Sequence, residues 1–194
     1  MLIIEKLGNE DGDEVVGITE LHNSNNLAQD ELIRLATSIS SDSITTQLLN
    51  GLLISGVPHL LSAAQNAINA QKGDYMLSRS LDVEIIVFAS TQRQIGKALE
   101  LLGVYDGLEE IAVVIVGNNV SIVKEAIQSL TEKIGQELVP PFKPTKDRFE
   151  RIKNQFQISK EEIKAISDSN DVESQLSALS RCIASRVSLV AFDS

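Results

Sequence analysis

One clearly patterned apolar stretch lies between Arg79 and Gly103, RSLDVEIIVFASTQRQIGKALELLG. Within it, Glu84 to Phe88 is β-branched and apolar on both faces, which predicts a strand covered on both sides. Thr91 with Gln94 three residues on is a capping-box pattern and predicts a helix from Gln92. Ile95, Ala98, Leu99 and Leu102 then recur at a 3.6-residue period, one apolar stripe. Gly103 offers a left-handed stop.

Upstream, Met1 to Lys6 and Val15 to Thr19 predict two strands joined by the turn material Gly8 to Glu14. Asn25-Asn26 can cap a helix from Leu27, with Leu27, Leu32, Ile33 and Ala36 as its apolar face, and Ser38 to Ser43 reads as a loop. A buried strand is expected within Leu48 to Ser55, placed at Leu52 to Ser55. Gly56 then turns, Pro58 sits in the first turn of a helix running to Gln71, and Gly73 stops it. Downstream, Ile111 to Val116 predicts a strand and Asn119 caps a helix over Val120 to Ile134. Val139-Pro140-Pro141 breaks the pattern. Three helices are predicted beyond it. Thr145 opens Lys146 to Gln157. Ser159 with Glu162 opens Lys160 to Ile166. Asp171 opens the last, with Val172, Leu176, Leu179, Ile183 and Val187 along one side.

This order predicts an α+β fold of mixed α/β layers. Its centre is a mostly antiparallel or mixed sheet of about five strands covered by helices, with an all-α C-terminal part docked on it. One domain, 1–194, is expected, divided into a mixed α/β core over 1–137 and a helical part over 138–194.

Composition narrows the function. The 194 residues carry a net charge of −10, which argues against a general binder of duplex DNA or other polyanions, although a small cationic site is compatible with it. A single cysteine, Cys182, excludes an intrachain disulfide and fits a reducing compartment. The apolar run Leu48 to Leu61 is broken by Asn50, Gly51, Gly56 and Pro58, so no membrane span is expected. The first residues lack the basic start and cleavage site of a signal peptide. A cytoplasmic protein is expected.

Chemistry-bearing patterns are sparse. Gly51 and Gly56 have the glycine spacing of a phosphate-binding loop, but Val57-Pro58 follow in place of Lys-Ser/Thr, so a buried strand and turn is the better reading. Asn9, Asp11, Asp13 and Glu20 fall in an EF-hand register, yet Glu14 stands where glycine is needed. No metal or cofactor is expected. His22 and His59 are the only histidines, one in a polar loop and one in the first turn of a helix, and neither reads as catalytic. Cys182 reads as an inert buried thiol. No catalytic constellation emerges, so a non-enzyme is expected. Lys72, Arg79, Arg93 and Lys97 form a candidate cationic cluster; Lys143, Lys146, Arg148, Arg151 and Lys153 read as a solvated helix face. The last helix carries Ala178, Cys182 and Ala184 beside its main stripe, a breadth that suggests a second contact surface.

Taken together, R-S-L-x-x-E-I-I-x-x-x-S-x-x-x-x-I-x-x-A-L-x-x-x-G-V from Arg79 to Val104 resembles the signature of the TPRKB-like family, the PRPK-binding subunit of the KEOPS (EKC) complex. His59-Leu-Leu-Ser-Ala63, Phe156-Gln-Ile-Ser-Lys-Glu-Glu-Ile163 and Ser185-Arg-Val-Ser-Leu189 are similar to archaeal members, and the likeness covers most of residues 50 to 190. It implies a non-catalytic subunit that binds the atypical kinase/ATPase of KEOPS and recruits tRNA through its 3′ CCA end for threonylcarbamoyladenosine synthesis. With it, Ile95, Leu99, Leu176, Leu179 and Ile183 become candidate kinase contacts, with Leu99 mostly core and Ile95 reaching the partner. Lys72, Tyr75, Arg79, Arg93 and Lys97 become candidate tRNA contacts, Tyr75 as a stacking platform. The rival readings are a small-ligand-binding or enzymatic α/β domain with a deep apolar pocket beside Glu84 to Phe88, and a self-associating structural protein.

Overall fold

The computed structural model describes residues 2–9, 12–167 and 169–191. Two strands, β1 (Ile3–Asn9) and β2 (Gly12–His22), form an antiparallel hairpin that places Ile4 opposite Gly17. Glu10 and Asp11, part of the turn material expected between the two strands, lie outside the described residues. Helix α1 (Gln29–Ile39), strand β3 (Ile44–Asn50), a short 3-10 turn (Gly51–Leu53) and helix α2 (Val57–Lys72) follow. Then come α3 (Leu81–Ser90), α4 (Ile95–Leu102), β4 (Glu110–Gly117), α5 (Val120–Ile134), β5 (Gln136–Glu137), α6 (Lys146–Gln155), α7 (Lys160–Ile166) and α8 (Val172–Leu189). The sheet runs β1-β2-β4-β3 with β5 beside β2, and every pairing is antiparallel.

Alternation along the strands builds two cores. Ile111, Val113 and Ile115 of β4, with Ile44 and Leu48 of β3, face α1 and α5. Ala112, Val114 and Val116, with Leu49, face α2 and α3. Gly17 lets α5 lie close on β2, since a Cβ there would meet Val123 Cγ1 at 2.4 Å. Gly56 holds φ +144 at the start of α2, a conformation that favours glycine.

The fold class is the one predicted, but one expected strand is a helix. Glu84 to Phe88 belongs to α3, where residues 84–90 are all buried. A helix packed on every side needs no polar face, so its sequence has no 3.6-residue signature and mimics a buried strand. α3 lies between α2, α4, α8 and the sheet, which accounts for that burial. Thr91 does not cap the next helix. It ends α3 at φ 56, and α4 opens only at Ile95 behind Gln94. The strand placed at Leu52 to Ser55 lies earlier, at Ile44–Asn50, and residues 51–53 curl into the 3-10 turn under an Asn50 side-chain cap.

The α1 start also moves. The Ala28 N–H donates to Glu31 Oε2 at 2.8 Å, and the helix begins at Gln29 rather than Leu27. Asn119, Thr145, Ser159 and Asp171 cap α5, α6, α7 and α8 through their side chains, as their positions predict. The last helix owes its wide apolar girth to enclosure: α8 packs against α2, α3, α6 and α7.

Candidate functional site

Helix α4 separates two surfaces. Ala98 and Leu102 are fully buried and fix it to the core. At 100° per residue, Ile95 and Leu99 then fall on one flank, and Lys97, Glu100 and Leu101 on the other. Ile95 is 36% exposed and Leu99 45%. Leu99 is therefore not a core residue, contrary to the expectation from the stripe. An eight-residue helix on a curved surface buries two of the four stripe positions, Ala98 and Leu102, and leaves Ile95 and Leu99 to solvent.

The Leu99 flank borders a groove of about 280 Å³ between α1, β3 and α4, lined in part by Ile33, Ala36, Val83 and Val104. Ile33, placed on the buried face of α1 by the pattern, is 48% exposed; Leu32, placed there too, is buried as expected, and Leu35 joins it in the core.

The other flank borders an open, mostly polar cleft of about 810 Å³. Asn50, Gln92, Lys97, Gln155, Phe156 and Arg186 are among its walls. The Arg186 guanidinium donates to Glu162 Oε1 at 2.8 Å and to the Phe156 carbonyl, so it is fixed in place. Lys97 has no ion pair among the described residues. The polar lining differs from the deep apolar pocket that a small-ligand reading requires.

Of the expected partner contacts on α8, Leu176, Leu179 and Ile183 are buried in the core. In this conformation they hold α8 to the fold.

The candidate cations separate into two groups. α3 is ten residues long, so its ends stand ~15 Å apart. Lys72, Tyr75 and Arg79 lie before its N-terminus; Arg93 and Lys97 lie after its C-terminus. Lys72 is 3.8 Å from Glu14 of the hairpin. Tyr75 is about half exposed, its ring lying over Gly73. The loop carrying Tyr75 and Arg79 is shaped by buried Glu84, whose carboxylate accepts the N–H groups of Leu77 at 3.0 Å and Ser78 at 2.7 Å. Arg93 donates to the Val190 carbonyl at 2.8 Å and so ties down the end of α8.

Sequence reasoning missed Arg148, placed on a solvated helix face. It is 7% exposed, and its Nη1 donates to the carbonyls of Gly51 at 2.8 Å and Ile54 at 3.0 Å. Its Nη2 reaches Glu20 and Glu110. Burial pushes the Glu20 carboxyl above the usual carboxylate range, and Arg148 pulls it back. Glu20 is thus a buried partner of Arg148 and no ligand of a calcium loop; Asp11 of that register lies outside the described residues.

His59 is fully buried. Its Nδ1 faces the Ser55 N–H at 3.4 Å and its Nε2 lies 2.7 Å from the Ala89 carbonyl, which assigns the Nε2–H tautomer. Burial lowers its pKa to about 4. Burial also pushes the Cys182 thiol up, away from the reactive thiolate. Among the described residues no cluster of three His, Cys, Asp or Glu could hold a metal, and no helix is long and apolar enough to cross a membrane.

No curated protein matches the chain. The family described as kinase binding protein CGI-121 matches residues 18–191, from β2 to the end of α8. An α+β scaffold with an apolar helix flank left open is the kind of surface on which a protein partner docks, and the chain belongs to the kinase binding protein CGI-121 family.

Proposed function

We propose that this protein is a non-catalytic cytoplasmic subunit of the KEOPS complex that holds the atypical kinase/ATPase on the α1–α4 face and offers the 3′ CCA end of tRNA a place beside Lys97. The observation that carries the first half is the open pair Ile95 and Leu99, one helical turn apart on a helix that Ala98 and Leu102 anchor to the core. Exposed aliphatic side chains at that spacing, with Ile33 across a groove, suit a dry protein contact. The buried α8 stripe leaves this face as the better candidate for the kinase.

The second half is supported by the polar cleft. An unpaired RNA end is held by stacking, by hydrogen bonds to base edges and by few cations. The cleft offers the amides of Gln92 and Gln155 and the cations Lys97 and Arg186. Because α4 divides cleft from groove, both partners can be engaged at once. Such a subunit lends surfaces to threonylcarbamoyladenosine synthesis and leaves bond chemistry to other subunits.

The test is co-sedimentation with the KEOPS kinase and, separately, with tRNA carrying or lacking CCA. The reading expects a kinase complex that is lost in Leu99→Glu and tRNA binding that falls when CCA is removed. A Leu99→Glu/Ile95→Glu protein that folds and still binds the kinase would overturn the first half. Equal affinity for the two tRNAs would overturn the second.

A further inference from the structure

Lys97 and Glu100 stand three residues apart on α4, both exposed and both in the wall of the polar cleft. Residues at that spacing are neighbours on a helix surface, with Cβ atoms about 5–6 Å apart, and opposite charges there attract each other. Yet among the described residues neither side chain makes an ion pair or a hydrogen bond. Arg186, the other cation of the cleft, is already held by Glu162 and the Phe156 carbonyl. The cleft wall therefore presents a free ammonium and a free carboxylate side by side.

These two groups suit different parts of a nucleic acid. The ammonium only donates, and it attracts phosphate. The carboxylate only accepts, and it repels phosphate. Inside a single strand every ribose has a phosphate on both sides. An internal nucleotide with one phosphate at Lys97 would bring its next phosphate against Glu100. A 3′ terminus avoids that clash. Its last nucleotide has a phosphate on one side and, on the other, two vicinal hydroxyls, both donors that one carboxylate can accept. The span from that phosphate to those hydroxyls is one nucleotide, the same order as the gap between the two side chains. An acidic side chain on ribose hydroxyls is also a recurrent way to recognise a nucleotide, and the 2′-hydroxyl separates RNA from DNA.

We infer that Lys97 and Glu100 bracket the last nucleotide of the bound RNA, Lys97 at its 5′-phosphate and Glu100 accepting from its 2′- and 3′-hydroxyls. The cleft then selects a free ribose terminus over the same bases inside a chain. This rests on the reading that the cleft receives the RNA end, and it names the feature of that end which Glu100 recognises.

The experiment measures fluorescence anisotropy of one 5′-labelled oligoribonucleotide carrying three different ends. The first is CCA with its free diol, the second has a 2′,3′-dideoxy terminal adenosine, and the third has a 3′-phosphate. The parent protein should bind the dideoxy end about five- to tenfold more weakly, for the lost hydrogen bonds to a charged acceptor. The 3′-phosphate should cost more, because it adds repulsion. Glu100→Gln changes an exposed residue and should leave the fold intact. It should bind the diol end more weakly than the parent and lose most of the discrimination against the 3′-phosphate. Lys97→Glu tests the cleft and should weaken binding of all three ends. Equal affinity of the parent for the three ends, with Lys97→Glu still weakened, would overturn the inference and leave the cleft standing. Parental discrimination in Glu100→Gln would do the same. Parental affinity in Lys97→Glu for every end would overturn the cleft, and the inference with it.

Discussion

Arg148 Nη2 lies 2.8 Å from Glu20 Oε1, two buried charges that join the C-terminal helices to the middle of the sheet. The other Glu20 oxygen accepts the Phe142 N–H. Arg148 also holds the carbonyls at both ends of the turn after β3. A single side chain therefore fixes α6, the 3-10 turn and β2 relative to one another.

Removing one partner of such a pair strands the other. Arg148→Met should cost about 3–5 kcal/mol, because Glu20 is left buried without its partner and can only stay charged or take up a proton at a cost. Adding Glu20→Gln should return part of that loss, and only part, since two carbonyls and the Phe142 N–H still lack their best partners. Urea denaturation of the two single variants and the double variant measures the coupling. Strictly additive losses would exclude the pairing.

Glu84 carries a prediction about the loop rather than the core. Glu84→Ala leaves the Leu77 and Ser78 N–H groups without acceptors and should cost about 1–3 kcal/mol. The effect is local: amide exchange at Leu77 and Ser78 should rise far more than exchange in β4. Uniform acceleration across the chain would mean that Glu84 supports the whole fold instead.

How much of this was legible depends on what each residue touches locally. Caps made by Asn119, Thr145, Ser159 and Asp171 are local chemistry, and the helices behind them begin where the sequence places them. β4 is legible for the same reason, as a short β-branched run between turn residues. α3 was not, because a helix buried on all sides and a strand buried on both look alike in one dimension. The five-strand sheet survives that error because residues 136–137 add a short strand that the sequence did not single out. At the site, the α4 stripe was visible but its division between core and solvent was not, since that depends on how far neighbouring elements reach. Arg148 was invisible as a buried residue: its partners stand 128, 97 and 94 positions away in sequence.

His59 makes stability depend on pH. Its folded pKa of about 4 lies below the ordinary 6.5, so the unfolded chain takes up a proton that the folded chain refuses. The stabilisation is fully present above pH 6.5 and is lost as pH falls from 6.5 towards 4, by about 3 kcal/mol in all. Glu20, with its raised pKa, acts in the opposite sense: its ionisation costs stability as pH rises above the ordinary carboxylate range. Comparing the parent with His59→Gln isolates the histidine. The difference in unfolding free energy between the two should shrink by about 2–3 kcal/mol from pH 7 to pH 4. A difference that stays constant over that range would mean that His59 is not held neutral.

Leu99 and Leu179 separate partner contact from packing. Leu99→Ala, at an exposed position, should change stability by no more than about 0.5 kcal/mol. Leu179→Ala, fully buried on α8, should cost about 2–5 kcal/mol. Kinase affinity should order the other way: the Leu99 variant loses binding while folded, and the Leu179 variant binds normally in the fraction that folds. Thermal denaturation and titration of each variant with kinase give both numbers.

The two cation groups, one at each end of α3, can be told apart by charge reversal. Lys97 lines the cleft with no ion pair among the described residues, so Lys97→Glu removes a cation without freeing an acid. Lys72 lies beside Glu14, so Lys72→Glu sets two carboxylates against each other far from the cleft. With a single-stranded oligonucleotide ending in CCA, Lys97→Glu should weaken binding several-fold and lower the slope of log K against log salt by ~0.7, the value for one cation on a single strand. Lys72→Glu should leave both affinity and slope near the parent values. The reverse order would move the RNA end to the other end of α3, against the Tyr75 loop, where Glu84→Ala should then weaken binding as well. Fluorescence anisotropy at two salt concentrations distinguishes these outcomes, because affinity alone cannot separate a lost phosphate contact from a distorted cleft, whereas the salt slope counts the cations that meet phosphate.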